Sequence, residues 1–540
     1  SDQMNDRPTN NYCVWNPLTN DNAALSEGNL KAAGTDDTAT IGSIGVSTGQ
    51  WYWEIYTGGS SYQPYLGVTS VENDTDAGYQ AAGRSYAGNA LYKDYTATSN
   101  TADTDLNGSA VWGFALDLDS GTRTLKIYKN NTLEHTDSTI PANTLLWPMS
   151  LLTNSGGTLW HNSYLNAGQD PTFAGNDPVA TPATSEFAYT PPSGYSALST
   201  ANLPTPTIAK GNEHFDTLLY TSSGEQDGLS FQPDLVWIKS RQSANEHELT
   251  DSVRTATKAL SSDSSNAEST DSTGLTSFDS DGFTVGADSN YSDTGAGMVA
   301  WNWKAGTGFD PAGGSATTDG SKNATAGFSI AKWTGNSTDY DSTSHRTLAH
   351  GLSAAPNFAI LKSRASQNWV VYHKSLTTGD YVILNEAYSS STHGGNLIVD
   401  AGWDATNFKV GNDGFSSSLN LNLNSTDYIG YFLSEVAGHS RFTEFTGASG
   451  AFCWLGFRPA LLILKSASSG GWYMFDSKRE GYNADNDRLY ADATTTEDTT
   501  DHVDLLSNGF KIKSSSYDLT SGTVLVMAWA ESPFKYSSAR

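Results

Sequence analysis

The fold is decided by the stretch Phe231-Gln232-Pro233-Asp234-Leu235-Val236-Trp237-Ile238-Lys239-Ser240-Arg241, because its pattern returns twice along the chain. The copies lie at Pro356 to Arg364 and at Pro459 to Ala467, and each reads proline, one free position, four apolar residues and Lys-Ser. Three occurrences in register indicate an internal duplication. A short run that is apolar throughout, entered by a proline that cannot donate to a ladder, predicts a strand buried on both faces.

Further landmarks accompany the proline in each copy. The preceding aromatic-Thr pairs are Tyr220-Thr221, Trp333-Thr334 and Phe445-Thr446; the second strand candidates are Phe283 to Val285, Phe408 to Val410 and Phe510 to Ile512; the closing strands are Met298 to Trp303, Tyr428 to Leu433 and Val524 to Trp529. A unit of roughly a hundred residues is far longer than a solenoid repeat. Each copy is therefore predicted to be a small domain.

The composition predicts an all-β protein with very little helix. Charged residues make up 16% of the chain, below the roughly 25% of average globular proteins. The 51 glycines supply turns, and the 15 Trp, 26 Tyr and 20 Phe supply apolar faces. This combination is typical of many short strands joined by tight turns, since a disordered polymer would lack the aromatic residues.

The charge excludes one class of partner. The chain has 58 acidic and 30 basic residues and a formal net charge of −28. Such a surface repels phosphate backbones and anionic membranes, so we expect no binding to nucleic acid.

Membrane insertion and a disulfide framework are not expected either. No apolar run approaches the ~18 residues of a membrane span, and the opening Ser1-Asp2-Gln3-Met4-Asn5 does not read as a retained signal peptide. The two cysteines, Cys13 and Cys453, lie in different segments, so the fold has to be stabilised by packing.

The N-terminal segment is predicted to be an antiparallel sandwich. In Gly49 to Ile55, Trp51, Trp53 and Ile55 fall on one face of a predicted strand, and Tyr52 and Glu54 fall on the other. This alternation is typical of a half-buried strand. A second alternating strand runs from Trp112 to Leu118, turns at Asp119-Ser120-Gly121 and returns through Leu125 and Ile127. Two alternating strands joined by such a turn predict a hairpin.

This segment resembles a SPRY domain. The resemblance is carried, in order, by Gly49 to Ile55, Tyr65-Leu66-Gly67-Val68, Trp112 to Asp117, Ile127-Tyr128-Lys129-Asn130 and Leu146-Trp147-Pro148. It implies a two-sheet, concanavalin-like jelly roll that binds a partner with the loops at one end and carries no catalytic set. The chain departs from the family at Asn130-Asn131, where an Asn-Gly turn is usual, and at Ser109-Ala110-Val111, where a Gly-Asp is usual.

The whole chain resembles the large structural proteins of marine tailed phages, in which a SPRY-like module precedes such repeats. The motifs are Thr190 to Tyr195, Pro233 to Ser240 and Ala530 to Tyr536. We expect a SPRY-like sandwich followed by three related small β-sandwich-like domains in tandem. The predicted segments are 1–180 for the sandwich, 181–206 for a Pro-rich linker, 207–305 for the first repeat, 306–326 for a Gly/Thr-rich linker, 327–438 for the second repeat and 439–540 for the third.

A group of tyrosines is the predicted contact surface. Tyr79, Tyr86, Tyr92 and Tyr95 lie in Gly/Ala/Asn-rich sequence between the SPRY-like strands. Tyrosine offers a flat apolar face and a hydroxyl to a sugar or a peptide. For any single one of them, packing on a sheet face is the alternative.

Three other patterns are interpreted as structural. Asp103 to Gly108 matches the first half of a calcium loop, but its twelfth position is Phe114, so a polar turn is favoured over a metal; the similar Asp279 to Gly282 is weaker still. His345 and His350 lack the helical i, i+4 spacing of a metal pair and are interpreted as surface or loop histidines. Glu246-His247-Glu248 is interpreted as a solvated turn instead of a proton relay.

The repeated lysines Lys239, Lys362 and Lys465 have two interpretations. They would bind an anion at the edge of each unit, or they would guard an edge strand against unwanted pairing. The second is favoured, because Ala467 in the third copy replaces the arginine of the other two.

These observations predict a virion protein without catalytic activity, cofactor or metal. It would be a tail fibre, a spike or a capsid-attached fibre, made in the host cytoplasm and assembled into the particle as a homo-oligomer with other virion proteins, and it would adhere to a host-surface glycan or protein. A purely structural decoration protein and a surface-polysaccharide depolymerase are the alternatives. No Gly-x-Ser-x-Gly, phosphate loop or His-Glu-x-x-His occurs, and the sequence nominates no carboxylate pair for glycan hydrolysis.

Overall fold

The chain divides between Thr205 and Pro206 into two compact units, unit 1 (residues 1–205) and unit 2 (206–537). The structure is a computed structural model, and it describes residues 10–19, 23–34, 38–58, 65–70, 83–87, 90–93, 96–100, 109–142, 144–152, 161–293, 295, 297–313, 318–337, 345–392, 397–412, 419–479, 487–513 and 518–533. These residues form 41 strands and two short 3-10 turns, which confirms the all-β class. None of their helical turns has the length or apolar character needed to cross a membrane.

Unit 1 is a sandwich of two mainly antiparallel sheets. Its strands are β1 (Ala24–Ser26), β2 (Lys31–Gly34), β3 (Thr38–Ile41), β4 (Gln50–Gly58), β5 (Tyr65–Thr69), β6 (Gly83–Ala87), β7 (Ala90–Lys93), β8 (Thr96–Asn100), β9 (Ala110–Asp117), β10 (Thr124–Lys129), β11 (Thr132–Asp137), β12 (Trp147–Leu152), β13 (His161–Asn166) and β14 (Ser196–Ala197). One sheet has the order β1-β2-β13-β4-β9-β10-β11, and the other has the order β3-β12-β5-β6-β7-β8. The predicted two-sheet sandwich is confirmed.

The predicted hairpins of unit 1 are present. β9 pairs antiparallel with β10 across the Asp119 to Gly121 turn, and Leu125 and Ile127 are fully buried. The following turn, from β10 to β11, has Asn130 and Asn131 with φ of 46° and 70°. Asparagine tolerates this left-handed region, so Asn-Asn replaces the Asn-Gly of a tight hairpin.

The predicted linker 181–206 is wrong, because most of it belongs to the sandwich. β14 pairs with β4, and the buried Phe187 ring meets Tyr52 edge-to-face at 5.0 Å. Glu54 of β4 accepts hydrogen bonds from the backbone N–H groups of Ala188 and Tyr189, both 2.9 Å. β4 is therefore buried on both faces and not half-buried as expected. Burial raises the pKa of Glu54 to about 7.

Unit 2 contains the three copies, called repeat 1, repeat 2 and repeat 3. Repeat 1 has a 3-10 turn (Gly211–Glu213) and the strands β15 (Phe215–Tyr220), β16 (Gly224–Asp227), β17 (Leu235–Ser240), β18 (Glu248–Asp251), β19 (Lys258–Ser261), β20 (Ser269–Thr270), β21 (Leu275–Asp279), β22 (Gly282–Val285) and β23 (Met298–Trp303). Repeat 2 has β24 (Thr307–Phe309), β25 (Gly320–Asn323), β26 (Phe328–Thr334), β27 (Arg346–Ala349), β28 (Phe358–Ser363), β29 (Val370–His373), β30 (Asp380–Ile383), β31 (Ser391–Thr392), a 3-10 turn (Asp400–Gly402), β32 (Asn407–Val410) and β33 (Asp427–Leu433). Repeat 3 has β34 (Ser440–Thr446), β35 (Phe452–Trp454), β36 (Phe457–Ser466), β37 (Trp472–Asp476), β38 (Leu489–Tyr490), β39 (Val503–Leu506), β40 (Gly509–Ile512) and β41 (Thr523–Pro533).

The proline-led strand is central in every repeat. β17 lies between β18 and β23, β28 between β29 and β33, and β36 between β37 and β41. Every residue from Leu235 to Ser240, and its counterparts in the other copies, is buried. Pro459 lies inside its strand, at a register shift, as expected for a residue that cannot donate to the ladder. The predicted doubly buried strands are confirmed.

The expectation of separate domains is wrong, because the three repeats share one core. A small second sheet covers the outer face of each central sheet: β16-β22-β21, β27-β32 or β35-β40-β39. The inner faces form a single hydrophobic cluster drawn from all three repeats. An apolar face has to be covered by another element, and here each inner face is covered by the other two.

The register places equivalent residues in layers of this core. Trp237 is opposite Trp301 in repeat 1, Ile360 is opposite Tyr431 in repeat 2, and Ile463 is opposite Met527 in repeat 3. The predicted linker 306–326 also departs from expectation, since β24 and β25 within it extend the central sheet of repeat 2.

The shared core predicts that unit 2 unfolds as one cooperative body. Trp301→Ala removes a fully buried side chain, so we expect unit 2 to lose about 3–5 kcal/mol. Hydrogen exchange followed by mass spectrometry should show lower protection in β28 and β36 as well as in β23. The control Leu133→Ala, at a half-exposed position of unit 1, should leave all three strands unchanged. Loss of protection confined to repeat 1 would contradict the shared core.

Candidate functional site

The predicted tyrosine surface falls only partly within the described residues. Tyr79 and Tyr95 lie outside them, as does the Asp103 to Gly108 loop. Tyr86 is in β6 and Tyr92 is in β7, two strands that pair with each other. In the register Tyr86 is opposite Leu91, and Tyr92 is opposite Ser85. The two tyrosines therefore lie in neighbouring strands of one hairpin, at register positions of opposite faces, and their contact role stays a prediction.

The two histidines expected at the surface or in a loop flank β27: His350 lies in the loop after it but is buried, and His345 is partly buried. His350 is fully buried; its Nδ1 accepts a hydrogen bond from the N–H of Leu352 at 3.1 Å. Burial lowers the pKa of His350. The described residues contain no group of three His, Cys, Asp or Glu side chains arranged to hold a metal ion.

Where a solvated turn was expected at Glu246-His247-Glu248, His247 and Glu248 are buried and Glu246 is partly buried. The triplet leads into β18, and His247 Nδ1 accepts a hydrogen bond from Trp237 Nε1 at 3.1 Å. Glu248 is 5% exposed, and its Oε1 accepts from Asn290 and Ser261 at 3.0 and 3.2 Å. Burial, and then the nearby Glu246, raise the pKa of Glu248 to about 8. The triplet is used to anchor the start of a strand.

The three repeated lysines form the most unusual site in unit 2. Lys239, Lys362 and Lys465 are completely buried, and each ends a central strand instead of an edge strand. Each Nζ donates to the carbonyl of the serine that follows it, at 2.7–2.8 Å. The predicted edge-guard role is therefore wrong.

Each lysine also fastens the loop that follows its strand. Lys239 Nζ donates to Ser243 O at 3.0 Å, and Lys362 Nζ donates to Ala365 O at 2.9 Å. Lys465 Nζ donates to Gly470 O at 2.8 Å and, across to repeat 2, to Tyr388 O at 2.9 Å. A buried ammonium is tolerated when its hydrogens are bonded. The lysine is thus an internal cap for backbone carbonyls that would otherwise be unpaired.

A polar residue beside each lysine differs among the repeats. The equivalent residues are Asp263, Asn385 and Asp492. Each side chain accepts a hydrogen bond, at 2.8–3.2 Å, from a backbone N–H at the start of the neighbouring strand: that of His247, Trp369 and Trp472 respectively. Burial lowers the pKa of Lys239 and of Lys465 to about 8, against the opposing attraction of Asp263 and Asp492 respectively.

Lys362 lacks that attraction, because its neighbour is the neutral Asn385. Burial and the Arg254 charge lower the pKa of Lys362 to about 7. The carbonyl acceptors work in the opposite direction, since they favour the charged ammonium.

Buried ion clusters join repeat 1 to both of its neighbours. At the seam between repeats 1 and 2, Arg254 Nε bonds Asp251 at 2.5 Å, and Arg364 binds Glu268 through two nitrogens at 2.6 and 2.8 Å. The Tyr431 hydroxyl of repeat 2 donates to Asp251 at 2.8 Å.

The seam between repeats 3 and 1 repeats this arrangement. Arg479 bonds Asp476 at 2.6 Å and Glu497 at 2.7 Å, and Arg241 bonds Glu497 at 2.8 Å. In this seam Trp301 Nε1 donates to Asp476 at 3.1 Å, as the Tyr431 hydroxyl donates to Asp251 in the seam between repeats 1 and 2.

The third seam, between repeats 2 and 3, has no such cluster among its described residues. His373 and Leu376 stand where the other seams have aspartate and arginine, and Ser390 and Ala467 stand where they have glutamate and arginine. His373 Nε2 lies 3.3 Å from Val526 O. This seam lacks both the acidic and the basic side chains of the other two. Loss of only one of them would leave a buried charge without a partner, which costs several kcal/mol of stability.

Sequence reasoning missed these clusters although a signal exists. Asp251-Ser252-Val253-Arg254 and Asp476-Ser477-Lys478-Arg479 share an Asp-Ser-x-Arg pattern directly after the second strand of the central sheet, and repeat 2 has His373-Lys374-Ser375-Leu376 there. The replacement of arginine by Ala467 belongs to the same pattern. These charged residues hold the repeats together and are not available as general acids or bases.

The ion clusters predict equal losses from two distant substitutions. Asp251→Asn and Asp476→Asn each remove the nearest carboxylate of a buried arginine, so we expect each to cost about 3–5 kcal/mol of unfolding free energy in urea titrations. The control Asn266→Ala, at an exposed position of repeat 1, should change it by less than about 0.5 kcal/mol. A loss below about 1 kcal/mol for either aspartate variant would show that the clusters do not stabilise the seams.

The lysine site predicts a stability that rises with pH. The pKa of Lys362 is about 7 in the folded chain and about 10.4 in an unfolded chain. Between these values the unfolded state binds the proton and the folded state does not, so the unfolding free energy increases from about pH 7 to pH 10. Below about pH 7 both states are protonated and the contribution is flat.

Urea unfolding midpoints measured from pH 6 to pH 10 test this expectation. In Lys362→Met the rise should be smaller than in the parent chain, whereas Lys332→Met, at a partly exposed lysine of the same repeat, should keep the full rise. An identical pH profile for the parent and Lys362→Met would contradict the assignment.

Comparisons with known proteins give two similar solved structures and one family. The crystal structure of the SPRY domain of human HERC1 is similar to this chain at 16% identity, covering 28% of this chain and 96% of that one, with a TM-score of 0.24. The TRIM65 PSpry domain is similar at 18% identity, covering 29% of this chain and 92% of that one, with a TM-score of 0.22. No curated protein is significantly similar to the chain.

A family described as a domain of unknown function, DUF7483, matches residues 210–533. This range takes in all three repeats and falls within unit 2, as expected for repeats that share one core. The match covers more than half of the sequence, and the chain belongs to the DUF7483 family.

Proposed function

We propose that the chain is a bacteriophage virion protein, a tail fibre, spike or capsid-attached fibre, that works by adhesion to the host surface. The resemblance of Thr190 to Tyr195, Pro233 to Ser240 and Ala530 to Tyr536 to phage structural proteins supports the virion assignment. The SPRY resemblance supports a contact role for unit 1, since that fold binds partners through loops. Many copies on one particle would add weak contacts to a useful avidity.

The observation that carries the proposal is the use of buried charge in unit 2. Lys239, Lys362 and Lys465 bond backbone carbonyls, and the arginines of two seams bond carboxylates. An active site needs ionisable groups that face a substrate, whereas these groups face the protein's own backbone and each other. Charged groups used in this way favour a role in binding by a rigid protein over a catalytic role.

The net charge of −28 fits the same role. A strongly acidic surface keeps particles apart in solution and disfavours binding to phosphate polymers. Its ligand on the host is therefore expected to be neutral or basic. Exposed aromatic side chains are suited to binding a neutral ligand, because they bury apolar area against it and need no ion pair.

Binding of the purified, fluorescently labelled chain to host cells tests the proposal. We expect saturable binding that falls at least about tenfold when Tyr86, Tyr92 and Tyr95 are changed together to alanine, since each ring contributes about 0.5–1.5 kcal/mol. Leu133→Ala, in the sandwich but outside this group, should bind as the parent does.

Other results would contradict the proposal in distinct ways. Absence of cell binding, with labelled chain found only between capsid or tail subunits, would indicate a decoration protein. Release of reducing sugar from the host envelope would indicate a depolymerase.

A further inference from the structure

The seam between repeats 2 and 3 differs from the other two at its surface as well as in its interior. The three seams are equivalent in backbone: Glu268 N donates to Arg364 O, Glu497 N to Arg241 O, and Ser390 N to Ala467 O, all at 2.8–2.9 Å. Only the last pair is uncharged. The ion pair that covers the end of the other seams is thus replaced by a serine and an alanine.

The seam between repeats 2 and 3 differs from the other seams at a third position, next to Ser390 and Ala467. Tyr388 stands two residues before Ser390, and the residues two before Glu268 and Glu497 are Asn266 and Thr495. All three positions are exposed, so packing does not require an aromatic ring at any of them. Tyr388 is 67% exposed, the most of any large hydrophobic side chain in the described residues.

The backbone that carries Tyr388 is fixed from repeat 3. Tyr388 O accepts from Lys465 Nζ at 2.9 Å, and Ala387 O accepts from Gly470 N at 2.9 Å. The bond from Ser390 N to Ala467 O completes three attachments within four residues. An exposed ring on a fixed backbone loses little entropy on binding, which is the condition for a preorganised contact.

Among the described residues, the exposed side chains next to Tyr388 in the two loops are small and uncharged. Ala387, Ser389, Ser468 and Ser469 are exposed beside it. Three acids around these loops, Glu386, Asp492 and Asp518, are hydrogen-bonded within the protein. Glu386 accepts from Asn368 Nδ2 at 3.0 Å, and Asp518 accepts from the Tyr473 hydroxyl. The patch therefore offers one aromatic face with hydroxyl groups around it, on a protein that is otherwise strongly acidic.

We infer that this patch, formed by Tyr388, Ser389, Ser390, Ala467 and Ser468, binds a neutral hexose oligosaccharide. The C–H face of a pyranose ring can lie on the tyrosine ring, and the serine hydroxyls can donate to and accept from sugar hydroxyls. No charge has to lose water on binding. Anionic saccharides are disfavoured by the net charge of −28.

This inference deepens the proposed adhesive function, on which its biological meaning rests, by naming a ligand class and a second contact site, in unit 2. Its test uses purified chain and oligosaccharides and needs no host cell. Cell binding that survives while oligosaccharide binding is absent would overturn this inference alone. Loss of both would overturn the proposed function as well.

Saturation-transfer NMR of the full chain with glucose-, galactose- and mannose-based hexasaccharides is the direct experiment. We expect at least one neutral hexasaccharide to bind, with contact signals from ring C–H protons. Tyr388→Ala should weaken its affinity about tenfold, and Tyr388→Trp should retain it. Thr495→Ala, at the equivalent exposed position of another seam, should bind as the parent does.

A second variant tests whether binding needs the uncharged surroundings of Tyr388 as well as its ring. Ser390→Glu combined with Ala467→Arg should rebuild the ion pair found at the other two seams while leaving Tyr388 in place, and we expect it to reduce binding severalfold with an unchanged thermal midpoint. The inference is overturned if no neutral hexasaccharide binds the parent chain or if Tyr388→Ala binds equally well. Tighter binding of a sulfated galactan hexasaccharide than of any neutral one would overturn it too.

Discussion

The structure of unit 2 depends on the covering of three apolar sheet faces by one another. Each central sheet is apolar on both sides, and its own repeat supplies a small sheet for only one of them. The other face carries Trp237 and Trp301 in repeat 1, Ile360 and Tyr431 in repeat 2, and Ile463 and Met527 in repeat 3. Exposure of such faces to water would cost far more than the few kcal/mol by which a domain is stable. The repeats are therefore one body because none of them can bury its inner face alone.

The same constraint explains the chemistry of the seams. Where repeats meet, the ends of the central strands leave carbonyls and charged groups out of water, and these groups have to be satisfied within the protein. Lysines satisfy the carbonyls at the strand ends, and paired acids and bases cross two seams. At the third seam both signs of charge are removed together, at His373, Leu376, Ser390 and Ala467. A gene triplication alone would give three like seams, so the seam between repeats 2 and 3 has diverged from the other two.

Much of the fold follows from sequence periodicity, and much of the site does not. The doubly buried strands at Leu235, Phe358 and Leu461 are predictable because an apolar run entered by proline has few other conformations. The burial of Lys465 is not, since one of its acceptors is Tyr388 O, 77 residues away in another repeat. Likewise the polar composition of residues 181–206 indicates a linker, whereas Glu54 holds that segment on the sandwich through backbone N–H groups that have no sequence signature. Partners that are distant in sequence, and bonds to backbone, are the parts that composition and spacing do not encode.

The central claim is that the repeats share one core and do not fold singly. Its most direct measurement is the ¹H–¹⁵N NMR spectrum of residues 306–438, the whole of repeat 2 with β24 and β25, expressed alone, beside that of residues 206–537. The account predicts poorly dispersed or aggregation-broadened signals for the single repeat and a dispersed spectrum for the whole unit. A dispersed spectrum from a monomeric single repeat would contradict it.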